Sequence, residues 1–531
     1  MKQTRITDAK ATVIGLDFGT QAARAVLVQA ETGQVLYSYR VSYADSTAAR
    51  SARRDTLLPL ADDYEWALWE LLEHAVLARY RNTVTGICVD ATSFTMIPVA
   101  ADGRALSQLE GFSKEPHACG KLWKYHRAQA QAEEALALAR EREEAFLRRT
   151  GGFLSCEWAL PKLMEIRDQA PFVYAAVDLV LDLCEFLTFR LTGQVTRSMG
   201  SMCYKGLWAA DLGFPSDGFL NGLRPGMAGE YRRFMRGPVL RPGEPAGFLR
   251  EDLCQRFGFC KGISIAAGLL DGHTAFAAMG AMKAGDAALV IGTSNVLTIQ
   301  SEVLCEAEGI CGVAMNGQMP GLYGIDAGQS CTGDMLQWYL DNMMTEDIQR
   351  ESRHSGISPH EILTAQIQAP WESRMIALDW WNGSRNAPCD ISLHGALWGF
   401  SMDTRPKDIY LALLQSIVCG TREILDTVER QGVTIRRILA SGGIAGKNRL
   451  LMQEYANLLH RPVQVAEVKE GPALGAALFA ALAAGLFDTV REAYEHMGVQ
   501  KFIIYTPDRE HESAYEALYQ KAHALRLLLK M

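Results

Sequence analysis

The chain has 531 residues, 48% hydrophobic and 21% charged, with a formal net charge of -8 and no long block of one sign. That length exceeds what one hydrophobic core usually serves, so two domains are expected, and the mild acidity speaks against nucleic acid or an anionic membrane as the main partner. No window reaches the roughly 18 apolar residues of a membrane span, and MKQTRITDAK lacks a signal-type apolar core, so a cytoplasmic protein is expected.

In chain order, ATVIGLD and AARAVLVQA are apolar runs joined by the turn FGTQ, and QVLYSYRVSY follows after ETG, which predicts a meander of three strands. YEWALWELLEHAVLARY sets Trp66, Trp69, Leu72 and Val76 at helical spacing. VTGICVD then reads as a buried strand ending on Asp90, and TMIPVAADGRAL as a hairpin about its Asp-Gly pair. The Ala-, Glu- and Arg-rich stretch 127–149 predicts a solvated helix, and the Gly- and Pro-rich stretch 205–262 predicts irregular connections.

Beyond it, ISIAAGLLDGHTAFAAMGAM passes from strand through turn to helix, and AALVIGTSNVLTIQS folds one apolar run back on another. The latter echoes VIGLDFGTQAARAVLV, which suggests an internal duplication. IYLALLQSIVCGTREILDTVERQG predicts a long amphipathic helix. IRRILASGG, KNRLLMQEYANLL, RPVQVAEV and GPALGAALFAALAAG then alternate strand and helix, an α/β layout in which ligands sit beyond the carboxyl ends of strands. The twelve cysteines form no Cys-x-x-Cys pair and mostly lie in apolar runs, which reads as reduced structural thiols rather than a zinc site.

The turns carry the chemistry. In VIGLDFGTQAARAV, glycine lets amides approach an anion and a Thr hydroxyl adds a donor, while Asp17 would repel phosphate unless a cation such as Mg²⁺ lies between. Arg24 in the next strand can face the same anion; an ordinary hairpin with a solvent-facing Asp explains the residues equally well. IGTSN, residues 291–295, offers the same donors without the carboxylate. The pair Gly442 and Gly443 lets a flat ligand or its phosphates approach the backbone, or is simply a strand-to-helix turn. Asp271, after a strand and before a helix, is placed to accept a hydroxyl proton, though Asp is also a favoured helix cap. Neither a Walker loop nor a GxGxxG fingerprint occurs.

GLDFGTQAAR, GLLDGH, IGTSN and SGGIAGKN with GPALGAALFAA, in this order, resemble the FGGY carbohydrate kinases, within the actin, hexokinase and chaperone superfamily, over about residues 13–486. Within that family GLDFG, LWK, CYKGLW, GICG, DAGQS, LDWWNGSR and GGIAGKN are nearest the L-ribulokinase branch. The resemblance implies an α/β protein of two actin/hexokinase-like (ribonuclease H-like) domains around an interdomain cleft, 1–270 and 271–531, each on a five-stranded mixed sheet. It implies ATP with Mg²⁺, and a sugar or polyol as partner; nucleic acid and membrane are not expected, and a homodimer is a candidate assembly. The implied reaction is phosphorylation of a terminal hydroxyl of a ketopentose, first L-ribulose to L-ribulose 5-phosphate; xylulose, ribitol or a similar compound is the alternative, as is a non-catalytic nucleotide-dependent binding protein.

By the same resemblance Asp271 is the general base and also touches substrate. Asp17 helps hold Mg²⁺ through water; Gly19, Thr20, Gln21 and Arg24 lie near the γ-phosphate, and Gly292 and Thr293 form the second phosphate loop. Gly333, Gly443, Lys447 and Asn448 hold the nucleotide, with the GPALGAA helix closing that side. Ser93, Trp123, Lys205 and Asp326 match sugar-binding positions, although Trp123 also suits a core and Lys205 a solvated loop. Two departures bear on specificity: Asp326 where many ribulokinases carry Glu, and ATSFT at 91–95. A site built on hydrogen bonds rejects mismatched partners strongly, so either departure can change which sugar fits.

Overall fold

In the computed structural model, residues 11–46, 55, 57–74, 77–386, 389–390 and 392–529 are described. The chain divides into two compact units. One takes residues up to Met282, Val313–Gly324 and Lys469–Val499; the other takes Lys283–Gly312, Ile325–Val468 and the chain from Gln500 on. Where a single boundary at 270/271 is expected from sequence, the chain instead crosses between the units several times.

The predicted meander forms as β1 (Thr12–Phe18), β2 (Ala22–Gln29) and β3 (Val35–Ser42), with the FGTQ turn as its first link. β4 (Val84–Ala91) lies parallel to β1, and the sheet continues through Ser264–Ala266 to Pro245–Phe248, while Leu269–Leu270 also pairs with β4. Among the described residues this sheet has seven strands. Every residue of β1 is buried, because helices cover both faces and period-two alternation has no solvent side to report. On one face Leu16, Phe18, Ile87 and Val89 share a core with Leu68, Leu71 and Leu72 of the helix Ala61–Glu73. The Trp66 and Trp69 named from periodicity are half-buried at its margin, and Val76 lies outside the described residues.

Against the sheet of the same unit packs the helix Gly471–Ala483. A Cβ on Gly15 would lie 1.8 Å from Ala473 O, and one on Gly86 would lie 2.4 Å from Ala480 O. Backbone meets backbone there, which is why GPALGAALFAALAAG is so rich in small residues. This helix supports β1 and β4.

A second seven-stranded sheet runs Gly312–Met315, Tyr323–Gln329, Asn295–Ser301, Asp286–Ile291, Arg437–Ser441, Val463–Ala466, Phe502–Tyr505. Its hairpin 286–301 beside the parallel strand Arg437–Ser441 repeats the arrangement of β1, β2 and β4. The duplication suggested by the two Gly-Thr turns is thus one of topology.

Three expectations are corrected. Met96–Val99 forms its ladder with Leu179–Asp182, and the hairpin about the Asp-Gly turn is reduced to one antiparallel bridge, Val99 to Ala105, before a short 3-10 turn at Leu106–Gln108. The stretch 205–262 contains the helices Asp217–Leu223, Met227–Phe234 and Glu251–Phe257: its glycines and prolines punctuate short helices rather than replace them. The stretch 127–149, expected as a solvated helix, forms Gln129–Glu141 and Phe146–Arg149, and Ala132, Ala135 and Ala139 bury one face of the first. Among the described residues no helix is long and apolar enough to cross a membrane.

Candidate active site

Three parallel segments deliver aspartates side by side at their carboxyl ends. Asp17 stands opposite Asp90 in the pairing of β1 with β4, and Leu269 stands opposite Asp90 on the other side. The chain then enters the helix Asp271–Ala278, whose first residue is Asp271. Its Oδ1 accepts the neighbouring Gly272 N–H at 2.7 Å, and Leu270 is the residue in the cap position, so the capping alternative for Asp271 does not apply. Asp17 is 3% exposed and Asp90 fully buried, whereas Asp271 keeps part of its surface open.

The electrostatics follow from this crowding. Arg24 Nη1 donates to Asp17 Oδ2 at 2.9 Å, and its Nε lies 3.3 Å from Glu470 Oε2. Thr274 Oγ1 donates to Asp90 Oδ2 at 2.9 Å, and the Asp90 and Asp17 carboxyls share a side-chain hydrogen bond. Burial pushes the Asp271 carboxyl up to about 7, with the negative charge of Asp17 adding to the push. Burial, then Asp17 and Asp271, hold Asp90 well above the carboxylate range, and burial raises Asp17 against the pull of Arg24. A partly open carboxyl poised near neutrality can take up and return a proton.

The donor set also fits a hard divalent cation. It presents oxygen only, from Asp17, Asp90 and Asp271, against the Arg24 cation. Among the described residues no three His, Cys, Asp or Glu side chains converge closely enough to hold an ion directly.

Around this centre the same unit gathers other residues singled out from sequence. Gly19 N–H donates to Ala22 O at 3.1 Å and closes the first turn, which leaves Thr20 and Gln21 exposed at its tip. Trp123 is half-buried rather than core, and its Nε1 donates to Thr20 Oγ1 at 3.1 Å, joining the proposed sugar and phosphate residues. Lys205 ends the helix Met199–Tyr204, half-buried, with its ammonium 5.8 Å from the Trp158 ring centre. Burial, with Lys205 adding to it, drives His273 down to about 3, so it is neutral. Ser93 is the half-buried residue of an otherwise buried segment. Arg24, expected at phosphate, is engaged by Asp17 and Glu470 in this structure.

In the second unit three segments meet. Gly292 O accepts Gly333 N–H at 3.0 Å and Thr332 Oγ1 at 2.9 Å, and Thr293 O accepts Thr332 N–H at 2.9 Å. A Cβ on Gly333 would lie 2.6 Å from Gly292 O, which explains glycine there. Gly442 adopts φ +105° against Ile291 O, while beside Gly443 there is open space for a ligand. Lys447 is exposed on the same turn. Asn448 caps the helix Arg449–Leu459, accepting Leu451 N–H at 2.9 Å, a local role its place in the motif did not disclose. Asp326 lies on Tyr323–Gln329, half-buried, its carbonyl accepting Cys311 N–H at 2.7 Å.

Sequence reasoning assigned no role to Asp90, Thr274 or Glu470. The signal for Asp90 was present: VIGLD, GICVD and AAGLLD are three strand ends with the same final residue. Thr274 and Glu470 gave none, because their partners are distant in sequence. Also unforeseen was the buried network behind the second turn. Asn295 Nδ2 donates to Gln329 Oε1 at 2.8 Å, Gln329 Nε2 donates to Asp379 Oδ2 at 2.6 Å, and Arg526 pairs with Asp379.

The chain is similar to known proteins over nearly its whole length. The N-terminal domain model of the FGGY family of carbohydrate kinases matches residues 12–280, and the C-terminal domain model matches 287–484. A ribulokinase of Halalkalibacterium halodurans is 36% identical over 529 residues, covering 96% of this chain and 93% of its own. One of Geobacillus thermodenitrificans is 35% identical over 530 residues, with the same coverage of 96% and 93%. Among solved structures, gluconate kinase from Lactobacillus acidophilus superposes with a TM-score of 0.81 at 16% identity, covering 98% of both chains. Xylulose kinase from Rhodospirillum rubrum gives 0.77 at 22%, covering 98% of this chain and 99% of the other.

Proposed function

The chain belongs to the FGGY family of carbohydrate kinases, and from that premise we propose that it transfers the γ-phosphoryl group of ATP to a terminal hydroxyl of a ketopentose in the cytoplasm, with L-ribulose as the first candidate. It is a sugar kinase; the choice of sugar rests on relatives named ribulokinase at about a third identity over nearly the whole chain. The observation that carries the reaction is Asp271: an aspartate at a strand end, partly open, with its carboxyl pushed up to about 7.

In this reading Asp271 accepts the proton of the sugar hydroxyl as that oxygen bonds to the γ-phosphorus, and the bond to the ADP oxygen breaks. Asp17 beside it keeps the carboxyl basic enough to take that proton. Ser93, Trp123, Lys205 and Asp326 orient the sugar. Thr20 and Gln21 at the first turn, and Gly292 and Thr293 at the second, hold phosphate oxygens, while Gly333, Gly443, Lys447 and Asn448 serve the nucleotide. Arg24 neutralises Asp17 until phosphate arrives and then has a second anion to face. Asp17, with Asp90 behind it, would hold Mg²⁺ through water; bound there, the ion offsets phosphate charge.

A panel of ketopentoses, pentitols and hexuloses with Mg²⁺-ATP, read by ADP release and product mass, tests the proposal. L-ribulose is expected to rank first, and Asp271→Asn to retain nucleotide binding while losing most turnover. ATP hydrolysis without phosphosugar, or near-normal turnover in Asp271→Asn, would overturn it.

A further inference from the structure

One helix, Ala159–Gln169, reaches three separate pieces of the proposed sugar face. Its first amide, Ala159 N–H, donates to Lys205 O at 3.1 Å. Lys162, fully buried, donates from Nζ to Phe94 O at 3.0 Å, to Lys121 O at 3.3 Å and to Leu122 O at 3.2 Å. One turn on, Glu165 accepts Lys121 Nζ at 2.8 Å and Tyr125 OH at 2.7 Å. Phe94 follows Ser93 directly, and Leu122 precedes Trp123.

All three protons of Lys162 thus go to main-chain carbonyls, and none to a carboxylate. Burying an ammonium costs far more than an apolar side chain of the same length, and the cost shows in a Lys162 amine driven down to about 7 by burial. What the lysine secures is backbone geometry. Phe94 is one of five non-glycine residues with positive φ among the described residues, at 54°, a conformation that persists only where its surroundings hold it. Here Asp182 Oδ2 accepts Phe94 N–H at 3.3 Å while Lys162 takes its carbonyl, and the Thr92 and Thr95 hydroxyls meet at 2.8 Å across the base of the turn. Ser93 is left at the tip.

We infer that Lys162 is a positioning residue that sets sugar preference: by fixing the carbonyls of Phe94, Lys121 and Leu122 it places Ser93 and Trp123, and the first amide of its helix places Lys205. The inference rests on the sugar-kinase reading above, and Lys162 itself touches no substrate.

Lys162→Met in the full-length chain keeps the length of the side chain and removes the donors. With the sugar panel and ATP titrated separately, KM for the preferred sugar is expected to rise about tenfold or more. Its kcat/KM advantage over the next sugar should shrink, and KM for ATP should stay within about twofold of wild type. Lys162→Gln, whose amide can still serve two of the carbonyls, is expected to fall between the two, and it keeps the test open if the methionine form does not fold. A folded variant with unchanged sugar KM and preference, or one in which sugar and ATP KM rise together, overturns the positioning role alone. A wild-type chain that phosphorylates no sugar overturns the kinase reading, and this role with it.

Discussion

Gly475 offers a direct test of how the helix that begins at Asp271 is held. It sits in Gly471–Ala483, where an added Cβ would lie 1.8 Å from Thr274 O and 2.4 Å from Thr274 C, both main-chain atoms of the helix that begins at Asp271. Carbon-to-heavy-atom contacts begin above about 3 Å, so Gly475→Ala must part the two helices by more than about 1 Å. Helix propensity favours alanine by up to about 1 kcal/mol, whereas overpacking costs about 1–3 kcal/mol and loosened contacts along both helices add to it. The net expectation is destabilisation by about 1–3 kcal/mol. The displacement also reaches Asp271, three residues before Thr274, and a misplacement of about 1 Å can lower turnover about 100-fold. Gly229 in Met227–Phe234 is the control, since no atom lies within 4 Å of its added Cβ. There the same substitution meets only propensity and should stabilise by up to about 1 kcal/mol with kcat unchanged. Thermal melts followed by circular dichroism, together with kcat on the preferred sugar, separate the two. A Gly475→Ala protein that melts at or above wild type with full kcat would refute the packing argument.

Turnover is expected to rise with pH through about 7, because Asp271 must lose its proton to act as base and burial with Asp17 holds it near that value; a flat profile of kcat/KM for sugar between about pH 5 and 9 would exclude it as the titrating base. Arg526→Met leaves Asp379 buried with Gln329 Nε2 as donor and without its cation, and is expected to cost about 3–5 kcal/mol in a denaturant melt. Because Gln329 also binds Asn295 beside the second turn, KM for ATP should rise more than KM for sugar; equal changes in both would argue against that link.

The recognisable pieces were those in which local chemistry and global role coincide. A run such as TVIGLDF has one reading, and the Gly-Thr turns, Asp17, Asp271 and the glycine pair are spaced by short-range rules of strand, turn and helix. The ordered motifs therefore identified the family, and through it the fold class. Composition misled where it stood in for contacts: glycine and proline in 205–262 mark helix ends, and alanines in 129–141 mark a buried face.

Tertiary structure alone decided which residues share a site. Asp90 acquires its charge environment from Asp17 on one neighbouring strand and from Asp271 just after the other, and strand order is not a local property. Glu470 and Gly475 belong to the first unit only because the chain returns to it at Lys469, before adding the last strand of the second sheet. A lysine at 162 looks like any helix-surface cation until three carbonyls surround it. The sequence by itself determined most of the elements, the family and the aspartate proposed to accept the proton, since these depend on residues close together along the chain. The partners of that aspartate, the support of the sugar face and the place of the GPALGAA helix depend on contacts between segments tens to hundreds of residues apart, and only the folded chain brings those together.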